Sequence, residues 1–201
     1  MDPFNFLNHS GCTRIDGVDD EQEFQNLQTA FVDLEIETEE RRSLYNLVSA
    51  ILHLGNITFE EAKGKDGVSV VAAVSPAAQE ALESSATLLK VDMSRLGELL
   101  VTHESLIRGE TVVSLHTTAQ AEASQASLAK SLYSLMFDWI VQRLNVGMQT
   151  TEANPRFIGI LDIFGFEIFQ VNSFEQLCIN FTNGALPFSM HPCRSTQSIA
   201  H

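Results

Sequence analysis

The 201-residue chain carries 26 Asp and Glu against 12 Lys and Arg, a formal net charge of −14, with a hydrophobic fraction of 44%. That composition describes about one folded domain, and it argues against nonspecific nucleic-acid binding or adhesion to an anionic membrane surface, which need clustered positive charge. No stretch reaches the roughly 18 apolar residues of a membrane span, and Cys12, Cys178 and Cys193 lack metal spacing and point to a reducing cytoplasm.

Asp19 and Asp20 precede Phe24, Leu27 and Phe31, whose spacing predicts a short helix with an acidic cap. Thr38 is the expected cap of a longer one, with Leu44, Leu47, Val48, Ile51, Leu52 and Leu54 on its apolar face and Gly55 as its stop. Residues 56–60 read as a short strand, 62–67 as a surface turn and 68–72 as another strand. Ser75-Pro76 is a helix start, and the helix should run to about Lys90. Asp92 caps a helix bearing Leu96, Leu99 and Leu100, and the residues between Leu106 and Leu115 read as a hairpin or ordered loop.

The longest helix is expected from Thr118 to about Asn145, with Leu128, Leu132, Leu135, Met136, Trp139, Ile140 and Leu144 as a buried stripe. Residues 156–162 form an apolar run without polar alternation, the pattern of a central sheet strand covered on both faces. A central strand needs partners, and none is evident elsewhere. Cys178 sits in an apolar helical pattern and reads as a small core residue.

Leu161-Asp-Ile-Phe-Gly-Phe-Glu167 turns that strand into an acidic, glycine-containing loop. Asp162, at the strand end, would hold Mg²⁺ directly or through water. Gly165 would offer an unobstructed backbone N–H to a phosphate oxygen. Glu167 would accept an arginine or orient a water. An alternative stays open on the residues alone: an acidic turn capping a strand, with Phe164, Phe166, Ile168 and Phe169 packed beneath it. Downstream, Ser173 and Gln176 form a capping box ahead of Phe174, Leu177, Cys178 and Phe181 on one helical face. No G-x-x-x-x-G-K-[ST] phosphate loop, zinc-protease helix or nucleophile elbow occurs in the chain.

The run from Leu161 to Asn183 resembles the myosin motor domain at switch II and the start of the relay helix. Residues 6–20 resemble that family's segment after switch I, residues 47–59 its upper 50 kDa helix and following turn, and residues 127–139 its long helix before switch II. The resemblance implies an α/β fold by family, related to P-loop nucleotide hydrolases. The piece present would be mostly α-helical with one central strand at 156–162. Asp162, Gly165 and Glu167 would be the switch II residues of an ATP- and Mg²⁺-dependent actin motor. In that setting Asp162 would lie beside the Mg²⁺ waters, Gly165 would donate to the γ-phosphate, and Glu167 would pair with the switch I arginine. Arg108, Gly109 and Glu110 match the family's actin-contacting loop. Glu110 would supply a fixed negative charge there without phosphorylation.

The family's phosphate loop and switch I would lie upstream of Met1. Residues 1–183 are therefore expected to be a partial motor domain lacking both, along with most of the lower 50 kDa region, the converter and the light-chain helix. Residues 184–201 are expected to be a divergent, irregular tail. On this reading the chain belongs to the cytoplasmic cytoskeleton and the myosin complex, partners actin filaments, and binds neither light chains nor nucleic acid. By itself it is expected to hold no nucleotide firmly and to lack ATPase activity. The alternatives are a noncatalytic actin-binding fragment and a nonfunctional truncated product.

Overall fold

The computed structural model describes residues 4–8, 11–12, 14–64, 70–107, 109–147 and 165–190. It divides into two units, Met1–Gln149 and Thr150–His201. In the first, α1 (Asn5–Asn8) precedes α2 (Asp20–Asp33) and α3 (Thr38–Leu54). Asp19 caps α2, its carboxylate accepting from the N–H groups of Glu21 and Gln22. The cap of α3 is Glu37, not Thr38. Glu37 and Glu40 form a reciprocal capping box, each side chain taking the other's backbone N–H, which places Thr38 one residue inside the helix.

The strand expected from Asn56 starts later. Asn56 and Ile57 are still tied back to His53 and Leu54 by turn hydrogen bonds, so β1 is Phe59–Lys63. It pairs antiparallel with β2 (Val70–Val74), Phe59 opposite Val74 and Lys63 opposite Val70. The turn expected over 62–67 is thus strand through Lys63, and residues 65–69 lie outside the described residues. Pro76 opens a 3₁₀ turn, Pro76–Ala78, leading into α4 (Gln79–Leu89). Asp92 caps α5 (Met93–Val101) by accepting from the Arg95 N–H at 2.9 Å.

α5 passes directly into β3 (Thr102–Ile107), which pairs antiparallel with β4 (Glu110–Leu115). Gly109 makes the reversal at φ +87°, a left-handed conformation that glycine adopts without steric penalty. α6 (Thr118–Gly147) then spans 30 residues. The core sits where α3, α4, α5 and α6 meet the β1–β2 pair, with Leu54, Leu82, Leu96, Leu100 and Ala129 buried together. Ala50 and Ala86 are buried, and Ser85 hydrogen-bonds the carbonyls of Ala81 and Ala50, joining α4 to α3.

The expected α6 stripe is only partly buried. Met136 is 9% exposed, but Leu135 is 66% exposed and Trp139 also faces solvent. A run at spacings of three and four widens beyond one contact line, and here Leu44 and Leu47 of α3 share a groove with Leu132, Leu135, Met136 and Trp139 of α6 that leaves Leu135 and Trp139 exposed. Arg143 closes the far end of that contact, donating to the Glu40 carboxylate at 2.9 Å and the Glu35 carbonyl at 2.7 Å.

In the second unit, α7 covers Phe174–Met190. Helix therefore continues past Asn183, where an irregular tail was expected. Gly184 and Pro187 are weak helix residues, Pro187 forfeiting one hydrogen bond, and the helix runs through both. The expected central strand, 156–162, lies outside the described residues.

Candidate functional site

The acidic turn and α7 are built from local chemistry. Ser173 caps α7: its hydroxyl accepts from the Glu175 N–H at 3.2 Å, while Gln176 reaches back to accept from the Ser173 N–H at 2.7 Å. Asn172 holds Phe169 at both of its backbone polar groups, at 2.9 and 2.8 Å, which folds the stretch before the helix.

One residue of the helix grips the turn itself. Asn180 accepts from the Glu167 N–H and donates to the Glu167 carbonyl, both at 2.8 Å. Both backbone groups of the acidic residue are thus fixed to a side chain two turns inside α7. No motif pointed to Asn180; an isolated polar residue among Ile179 and Phe181 has no periodicity that distinguishes it from an exposed asparagine.

Of the three switch residues expected from sequence, Gly165 and Glu167 are described and Asp162 lies outside the described residues. Gly165 is exposed, with nothing within 4 Å of the position a Cβ would take. Glu167 is half-buried, and none of the ion pairs among the described residues involves its carboxylate. Among the same residues, no group of three or more His, Cys, Asp or Glu is placed to hold a metal ion. The exposed glycine and unengaged carboxylate suit a phosphate oxygen and a cationic side chain respectively.

The aromatic side chains expected beneath the turn are not packed there: Phe166, Ile168 and Phe169 are exposed, and Phe164 lies outside the described residues. On α7, Phe174, Leu177 and Phe181 are also exposed, and Cys178 is exposed instead of being a core residue. The periodicity correctly places these four on one face, but among the described residues no element covers it.

The hairpin expected near Arg108, Gly109 and Glu110 is β3–β4. Glu110 opens β4 opposite Ile107 and is exposed, and Arg108 lies outside the described residues. Leu106, Val112 and Val113 stand exposed beside it, an apolar hairpin with a carboxylate at its tip.

A family model of the myosin head (motor domain) matches residues 1–192. The chain belongs to the myosin head family. The high molecular weight form of myosin-1 from Acanthamoeba castellanii is 42% identical over 190 residues, which cover 91% of this chain and 12% of that protein. Myosin-17 of Arabidopsis thaliana is 37% identical, covering 96% of this chain and 13% of that protein. Myosin-B/C of Toxoplasma gondii is 36% identical, covering 90% and 16%. The chain thus spans roughly an eighth to a sixth of the length of these relatives. The family accounts for a mostly helical piece of an α/β motor domain. Its match to residue 192 also carries the likeness beyond Asn183, where the expectation had ended it. No helix among the described residues is long and apolar enough to cross a membrane.

Proposed function

We propose that these residues form part of an actin-based, ATP-hydrolysing cytoskeletal motor, with Asp162, Gly165 and Glu167 as its nucleotide-sensing switch. The observation that carries this reading is the double hydrogen bond between Glu167 and Asn180. A turn fixed at both backbone groups to a helix cannot shift toward a phosphate without pulling that helix, which is what converting ligand state into movement requires.

In that role the Gly165 N–H would donate to the terminal phosphate of ATP, and Asp162 would help hold Mg²⁺ through water. The Glu167 carboxylate accepts an arginine and so holds the hydrolytic site closed. A bound metal would supply positive charge to offset that which develops as water attacks the terminal phosphorus in line and ADP leaves. The 201 residues by themselves contain no phosphate-loop motif and are proposed to be inactive without the remainder of a head. Cytoskeletal association follows from the same reading.

The test is a graft. Residues 1–183 replace the matching segment in the head of the Acanthamoeba relative, and actin-activated phosphate release is measured. Activity in the graft, lost on Glu167→Ala, supports the switch assignment; activity that survives Glu167→Ala sinks it.

The exposed β3–β4 hairpin supports a second reading, a noncatalytic actin-binding piece in which Arg108, Gly109 and Glu110 contact the filament. Cosedimentation of residues 1–201 with filamentous actin, weakened by salt and by Leu106→Asp, would favour it. Complete absence from the pellet at low salt would remove it.

A further inference from the structure

The turn that ends α3 belongs to neither the acidic turn nor the hairpin, yet side chains from two distant elements grip it. From the N-terminal side, the Asn5 N–H donates to Asn56 Oδ1 at 2.9 Å, and Asn5 Nδ2 donates to the Gly55 carbonyl at 3.2 Å. Phe4 sets its ring edge-on to His53, with centroids 5.3 Å apart. From α6, the buried Gln125 donates through Nε2 to the carbonyls of Leu54 and Ile57, at 2.5 and 2.7 Å.

Gly55 shows why the fit is specific. Its φ of −64° is ordinary for any residue, so backbone conformation does not demand glycine. Space does: a Cβ there would lie 2.7–2.8 Å from three atoms of the Phe6 ring, too close for the ring to stay. Phe6 is half-exposed and able to swing away into solvent, so its seating on Gly55 is separable from the core.

We propose that the Gly55–Asn56 turn is a coupling junction. Asn5 and Phe6 latch the incoming chain to it, and Gln125 pins the same turn to α6. These are positioning residues, and the path is contiguous: Asn5 to the Gly55 carbonyl, one residue back to Leu54 and two on to Ile57, then Gln125. Releasing the latch loosens the turn, and the Gln125 hydrogen bonds weaken with it. The junction does not depend on the motor reading, since every contact lies within residues 4–125.

Hydrogen exchange and side-chain amide NMR on residues 1–201 test it. Asn56→Ala and Gly55→Ala should each lower protection of the Asn5 amide by about tenfold while amides of α4 and α5 keep theirs. Both should also speed exchange of the Gln125 side-chain amide several-fold, and Phe6→Ala added to Gly55→Ala should restore most of the Asn5 protection by making room for the methyl group. Unchanged Asn5 protection in both single variants overturns the latch. An Asn5 amide released while the Gln125 amide stays unchanged overturns the coupling.

Discussion

Asn180 of α7 holds Glu167 by its N–H and its carbonyl at once, both at 2.8 Å, across 13 residues of sequence. Each bond is local, but the pair fixes an acidic turn to a helix as one body. Asn180→Ala should therefore free the turn while leaving the helix formed. The expected loss is about 1 kcal/mol per hydrogen bond, read as faster exchange of the Glu167 amide with the helical circular dichroism unchanged. Asn180→Asp keeps the acceptor and loses the donor, so it should fall between the two. Equal exchange in all three proteins would mean the clamp contributes nothing in solution.

Gln125→Leu should be the costliest conservative-volume change on α6. It leaves the Ile57 carbonyl without its amide donor and the Leu54 carbonyl with only the turn bond from the Ile57 N–H. A buried carbonyl that loses its partner costs about 1–3 kcal/mol, and a loss of that size is expected from chemical denaturation. A change below about 0.5 kcal/mol would show that water replaces the glutamine freely.

Leu135 and Met136 are adjacent in sequence and opposite in environment. Met136→Ala should cost about 2–4 kcal/mol through the cavity it leaves, whereas Leu135→Ala should stay within about 0.5 kcal/mol. Comparable losses from the two would place both residues in the core and contradict the packing of α6 on α3.

The Arg143 hydrogen bond, reinforced by the Glu37 backbone N–H, holds the Glu40 carboxyl below its ordinary value of 4.5, and the same pair raises Arg143. A depressed carboxylate contributes stability at pH values above its unfolded-state pKa and loses it as pH falls through the folded one. Arg143 stays charged throughout, so the acid limb belongs to Glu40. Stability of the first unit should be flat near neutrality and decline below about pH 4.5, and Glu40→Gln should flatten that decline. Identical acid limbs in the two proteins would exclude the pair as its cause.

Much of the fold was legible where local chemistry decides it. Asp19, Asp92 and Ser173 cap helices because a short oxygen-bearing side chain satisfies the first free N–H groups, a requirement visible in sequence. The hairpin was legible from Gly109 between two β-rich runs. Burial was less so: periodicity says which residues share a face but not what covers the face, and Leu135, Phe174 and Cys178 turned out exposed. The Glu37 cap was missed because a threonine follows it, and the two glutamate side chains, not the hydroxyl, form the box.

At the candidate site, the run from Leu161 to Asn183 carried the family, and the family match bears that out. The contacts that give the site its mechanical character were not legible. Asn180 to Glu167, Gln125 to Leu54 and Ile57, and Phe6 on Gly55 join residues 13 to 71 positions apart. A lone amide or glycine carries no trace of so distant a partner.

Actin-activated phosphate release by the grafted head tests the central claim most directly, measured for the wild-type segment and for Glu167→Ala. The account predicts turnover in the wild-type graft and a fall of about a hundredfold or more in the variant, the scale expected when a group that closes a catalytic site is removed. An inactive wild-type graft, or equal turnover by both, would contradict it.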